Sequence, residues 1–292
     1  MSPEAQGTEA ARPAYRCWLA GTLIFLALLV IVRFVLEVAG VAGTTTRFLS
    51  SSAGVLLAAI YLGVTAPLRR VMKFVQLILP AIVVAAWVVG WVILAMLVSA
   101  VFRLERSHFA LKEDYGNWAH LGGHILGHLV ELGVFAVLVL ILMAIPFLLR
   151  RWPLTVGPAA LLGALVIVRY WVEAMGLEPW RAAAWSSSVG VLIAGFYLGG
   201  IGPRLGLATA KQLLAPALAL GWTWRLWVFI ATVFSALVPF YKTHFFDPMQ
   251  GRIAVRLAQS LGANVIEGFI AGLVVWGIAI WIARATRARA EV

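Results

Sequence analysis

The chain has 292 residues, 63% hydrophobic and only 12% charged, with a net charge of +11. A water-soluble domain carries roughly 25% charged residues, so most of this surface is not built for water. Spans of ~20 apolar residues each use up nearly the whole length and exclude a sizeable soluble domain. The cations fall at helix ends, where anionic lipid head groups lie. That makes the bilayer the partner and argues against nucleic acid. The single cysteine, Cys17, excludes an intrachain disulfide and a cysteine-based metal site.

In chain order, residues 1–14 are small and polar and read as a flexible cytoplasmic tail. They lack the basic start and apolar core of a cleavable signal. Apolar runs follow at 16–40, 48–66, 74–102 and 119–149, then at 154–177, 184–202, 212–239 and 257–284. They predict an all-α integral membrane protein of about eight transmembrane helices. A short cytoplasmic tail closes the chain at 287–292.

The runs repeat. Val30–Glu37 (VIVRFVLE) returns as Val166–Glu173 (VIVRYWVE), and Ser50–Leu56 (SSSAGVL) returns as Ser186–Leu192 (SSSVGVL). The same offset of 136 aligns Pro80 with Pro216, Trp91 with Trp227, His108-Phe109 with His244-Phe245, and Glu131 with Glu267. One constant offset reads as a tandem duplication, with four-helix repeats at 15–150 and 151–286. Four spans return the chain to its starting side, so the two repeats are expected to run parallel about an axis along the membrane normal. The N-terminal side collects 12 lysines and arginines against 8 on the other, with Arg33, Arg169 and Arg225 inside spans. That bias places both termini in the cytoplasm, N-in and C-in, and a bacterial inner membrane is the expected location.

Ionisable residues inside spans are costly and mark sites. Arg33 and Glu37, like Arg169 and Glu173, stand four apart and share a helix face. Each pair reads as a self-neutralising clamp, or as a gate. Glu131 and Glu267 fall near mid-membrane, as does Arg225, whose counterpart is Val89; the expected partner of Arg225 is Glu267 or Glu131. One acid is left over among these groups and is expected to be protonated or paired with a histidine. Ser50, Ser51 and Ser52, and Ser186, Ser187 and Ser188, open two spans as helix caps, with a polar ligand at the helix N-terminus as the alternative.

His120, His124 and His128 stand at i, i+4 and i+8 on one face, which Glu131 continues. Two histidines one turn apart suit a metal, and imidazole suits haem iron. Three on a straight helix spread over ~12 Å and cannot share one ion. The second repeat holds Arg256, Ser260 and Asn264 there. A polar stripe that lines a hydrated crevice or packs on another helix explains the face without any cofactor.

No Walker A loop and no HExxH motif is present. The leading functional expectation is a small secondary transporter or channel for an ion or small polar solute, with a polar site between the repeats. The competitor is a non-catalytic subunit or scaffold of a larger membrane complex. The expected protein partners are further copies of the chain in a homo-oligomer, or membrane-complex subunits. An outward-facing metal- or haem-binding protein or enzyme ranks last, because no nucleophile stands out. The sequence names neither substrate nor coupling ion.

Overall fold

The computed structural model describes residues 15–183, 186–207, 209–237, 243–246 and 252–288. The expected tail at 1–14, residues 289–292 of the expected tail at 287–292, and residues 240–242 and 247–251 of the loop at 240–256 lie outside the described residues. Helices account for nearly all of what is described. They are α1 (Tyr15–Val38), α2 (Gly43–Thr46), α3 (Ser51–Thr65), α4 (Ile78–Val101), α5 (Trp118–Leu148), α6 (Pro153–Ala174), α7 (Pro179–Ala182), α8 (Ser187–Ile201), α9 (Ala210–Leu237) and α10 (Ile253–Ala288). Among the described residues, 8 helical stretches are long and apolar enough to cross a membrane. The chain is a multi-pass membrane protein.

Local chemistry sets the helix ends. Ser50 caps α3 by accepting from the Ala53 N–H at 3.4 Å, and Ser186 caps α8 by accepting from Ser188 at 3.3 Å. Asn117 caps α5 through Oδ1 and the His120 N–H, at 3.1 Å. α1 stops at Val38, two residues short of the expected run, because Gly40 takes φ +91°. Its N–H donates to the Glu37 carbonyl while Val41 reaches back to Leu36. This is the paired closure that a left-handed glycine permits. α6 ends the same way at Gly176, φ +95°, with bonds to Glu173 and Val172.

The chain divides into two compact units, Met1–Phe147 and Leu148–Val292. In unit 1, α1 packs on α3 and α4. Val30, Ala95, Met96, Ala100, Phe109 and Leu121 form a buried cluster. A side chain at Gly63 would strike the Met143 carbonyl and Pro146, so α3 and α5 meet backbone to backbone there. In unit 2, Gly199 of α8 meets Ala279 and Ile282 of α10 in the same manner. α9 and α10 touch at Gly221 against Gly268 and Gly272. Small residues allow such close approach where lipid gives helices no hydrophobic reason to associate. Large apolar side chains such as Ile24, Leu28, Leu126, Val134, Ile193 and Ile270 remain exposed, as a lipid-facing surface requires.

Candidate functional site

Polar side chains gather at three places. The first recurs in both units. Glu37 ends α1 in a buried position, and its carboxylate accepts from Arg33 Nε at 3.0 Å and Thr46 Oγ1 at 3.0 Å. It also accepts from the His108 backbone N–H at 3.1 Å, and His108 Nδ1 lies 2.5 Å away. In unit 2 Glu173 accepts from Arg169 Nε at 3.1 Å and from the His244 N–H at 2.8 Å, with His244 Nδ1 at 2.6 Å. The expected Arg–Glu pairs are therefore present, but each is part of a larger clamp that ties a distant loop to the helix end. Burial, and then the Arg33 charge, hold His108 below the ordinary histidine pKa against the pull of Glu37. The neutral ring then donates its Nδ1–H to the carboxylate. His108 and His244 were not expected as partners. The signal for them was the His-Phe pair recurring at the same offset; in both units its rings lie tilted with centroids 4.0 Å apart.

The second place belongs to unit 1. The three histidines of α5 do not converge on a point; each turns Nδ1 toward a carboxylate. His120 meets Asp114 Oδ1 at 2.6 Å and His124 meets Asp114 Oδ2 at 3.0 Å. His128 meets Glu131 Oε2 at 2.7 Å, and the His124 and His128 rings stack with centroids 5.2 Å apart. Glu131 is thus an acid paired with a histidine. Asp114 is fully buried and also accepts from the Leu111 N–H at 2.7 Å. Burial raises its pKa, but the hydrogen bonds from His120, Leu111 and His124 outweigh that and hold the carboxyl below its ordinary value. Sequence reasoning missed Asp114, which sits in a loop among other charges. Among the described residues, no group of three or more His, Cys, Asp or Glu is arranged to hold a metal ion.

The third place belongs to unit 2. Arg225 of α9 pairs through Nη2 with Glu267 of α10, and its guanidinium lies 5.1 Å from the centre of the Trp224 ring. Of the two expected partners it takes Glu267. Arg225 lines a cavity of about 370 Å³ together with Trp222, Phe229 and Asn264. Glu267 lines another of about 530 Å³ with Ser188, Leu192 and Trp224. Three buried polar atoms here lack a hydrogen-bond partner among the described residues: Trp224 Nε1, Arg225 Nε and Asn264 Oδ1. Ser51 and Ser52 are half-buried beyond the Ser50 cap, and the Ser187 side chain lies outside the described residues.

No protein-family model matches the chain, and no curated protein or solved structure matches it either.

Proposed function

We propose that the chain is a small secondary transporter or channel for an ion or small polar solute, built as two tandem, parallel four-helix repeats with both termini cytoplasmic. One observation carries this reading. Within unit 2 an arginine–glutamate pair sits well inside two apolar helices, with cavities of about 370 and 530 Å³ against its two members. Charged side chains at that depth are expensive and are kept where they line a path or a site. Partnerless Arg225 Nε and Asn264 Oδ1 add hydrogen-bonding capacity that the fold itself does not use. The constant sequence offset supports the duplication, and the lysine and arginine bias supports the orientation.

The test is flux in liposomes. Vesicles holding the protein are challenged with a panel of inorganic ions, amino acids and small sugars. At least one member is expected to cross faster than in protein-free vesicles. Flux at the protein-free rate for every class would remove the reading. A reporter fused after Arg289 is expected in the cytoplasm.

A second reading, a subunit of a larger membrane assembly, is favoured by α5. Gly122, Gly123, Gly127 and Gly133 of that helix face open space. Gly123 and Gly127 have the four-residue spacing that helix pairs use in membranes. Native mass in mild detergent separates the two readings: a defined set of other proteins supports the subunit, and a lone chain or homo-oligomer supports the transporter.

A further inference from the structure

We propose that the polar row on α5 is a one-sided proton path, relaying protons from the aqueous face at loop 102–117 through His120, His124 and His128 to Glu131. The proposal rests on the transporter reading for its purpose, the proton being the coupled ion.

The groups form a sequence of short steps. His120, with 43% of its side chain exposed, stands at the mouth and shares the Asp114 carboxylate with His124. The His124 ring stacks on His128, and His128 bonds Glu131. At 5.2 Å between ring centres, the His124–His128 step is one that a single bridging water spans. From His120 to Glu131 the helix rises roughly 17 Å, more than half of a hydrocarbon core ~30 Å thick. Leu132–Leu148 then carry no titratable side chain. The row therefore delivers protons to mid-span and does not cross.

The chemistry balances at the last step. His128 Nε2 takes up a proton while Nδ1 passes its own to Glu131 Oε2. Imidazolium plus carboxylate becomes neutral imidazole plus carboxylic acid, and no net charge is made or lost. Asp114 is a positioning residue. Held ionised by its hydrogen bonds, it orients both Nδ1 atoms, so that the proton passes from His120 to His124 between their Nε2 atoms through water, and it draws positive charge to the mouth. Among the surrounding groups, Tyr115 packs against the buried cluster that includes Leu121. Burial, and then Glu105 and Asp114, keep it a neutral phenol. Leu121 of α5 shares a buried cluster with residues of α1 and α4; α4 has no titratable side chain between Ile78 and Val101, and Arg33 and Glu37 of α1 are engaged with each other and with His108. Unit 2 replaces the row with Arg256, Ser260 and Asn264, and Arg225 holds its acid, so the path belongs to unit 1.

The test reads protonation and not transport. The full chain in liposomes, with trapped alkaline buffer, receives an acid step outside and then a hydrophobic carbodiimide, which modifies protonated carboxyl groups. Mass spectrometry measures the product at Glu131. Wild type should be modified rapidly when the acid is on the loop side, and Glu131→Gln should give no product there. His124→Asn and His128→Asn should each slow the response on the order of a hundredfold while melting like wild type. His120→Asn, at the mouth, should slow it less. Modification that ignores the acid step, or that keeps its wild-type rate in both histidine variants, would overturn the path. Should a folded variant be lost, His124→Gln supplies the same reading. An intact Glu131 response in a protein that moves nothing would refute the transporter reading and leave the path standing.

Discussion

α5 and α10 stand 136 residues apart and carry an acid at matching positions, Glu131 and Glu267, yet they are built for different work. α10 meets α9 through Gly268 and Gly272 against Gly221, and its acid is fixed by Arg225. α5 has Leu132 and Ala136 where α10 has those glycines; its acid faces a histidine, and its own glycines face open space. By contrast, the clamps at Glu37 and Glu173 match nearly atom for atom. What both units need to hold a loop is kept in both, and what differs between α5 and α10 is where specialised function is to be sought.

The largest effect is expected where the units agree. Glu37→Ala and Glu173→Ala each strand an arginine and a loop histidine, and losing one partner of a buried pair costs about 3–5 kcal/mol. Denaturant titration in detergent should show similar losses for the two. A large loss in only one would break the equivalence of the clamps. Packing should then separate the helices. Gly221→Leu forces α9 from α10 and should cost about 1–3 kcal/mol. Gly127→Leu enters open space on α5 and should leave the melting midpoint in place. Equal effects would mean that α5 is covered.

The Arg225–Glu267 pair should show a smaller signal, because half of the Glu267 side chain is exposed. Arg225→Met alone should lower stability by up to about 1 kcal/mol, and adding Glu267→Gln should restore part of it. A double variant worse than the single would deny that the two act together.

The smallest effect is acid-dependent and confined to unit 1. The folded-state pKa of Asp114 is depressed. Its contribution is therefore present above the ordinary aspartate value of 3.8 and is lost as pH falls through the lower folded value. Once the intrinsic pH dependence of amide exchange is divided out, the protection of loop 102–117 should fall on acidification in wild type. In Asp114→Asn the protection should already be lower at neutral pH and change less with acid.

Much of this was legible because hydropathy and helical spacing are local. The spans, the Arg33–Glu37 and Arg169–Glu173 pairs, the serine caps at Ser50 and Ser186 and the shared face of His120, His124 and His128 all follow from neighbours within a few turns. What local spacing cannot show is a loop folding back. His108 and His244 reach their glutamates across 71 residues. Asp114 is one of several charges in its loop, and only the turn over Leu111–Asp114 aims it at α5. Arg225 had two acids at similar depth, and the choice of Glu267 depends on the contact between α9 and α10. Gly268 and Gly272 do have the four-residue spacing of a helix-packing face, but nothing local says that Gly221 of α9 is what that face meets.

The most direct measurement is flux across liposomes for wild type and Glu267→Gln, with a solute that the wild type moves and with melting recorded on the same samples. Flux well above protein-free vesicles in the wild type, falling sharply in an equally stable Glu267→Gln, is the expected result. Unchanged flux in Glu267→Gln would show that the charge pair of unit 2 has no part in transport.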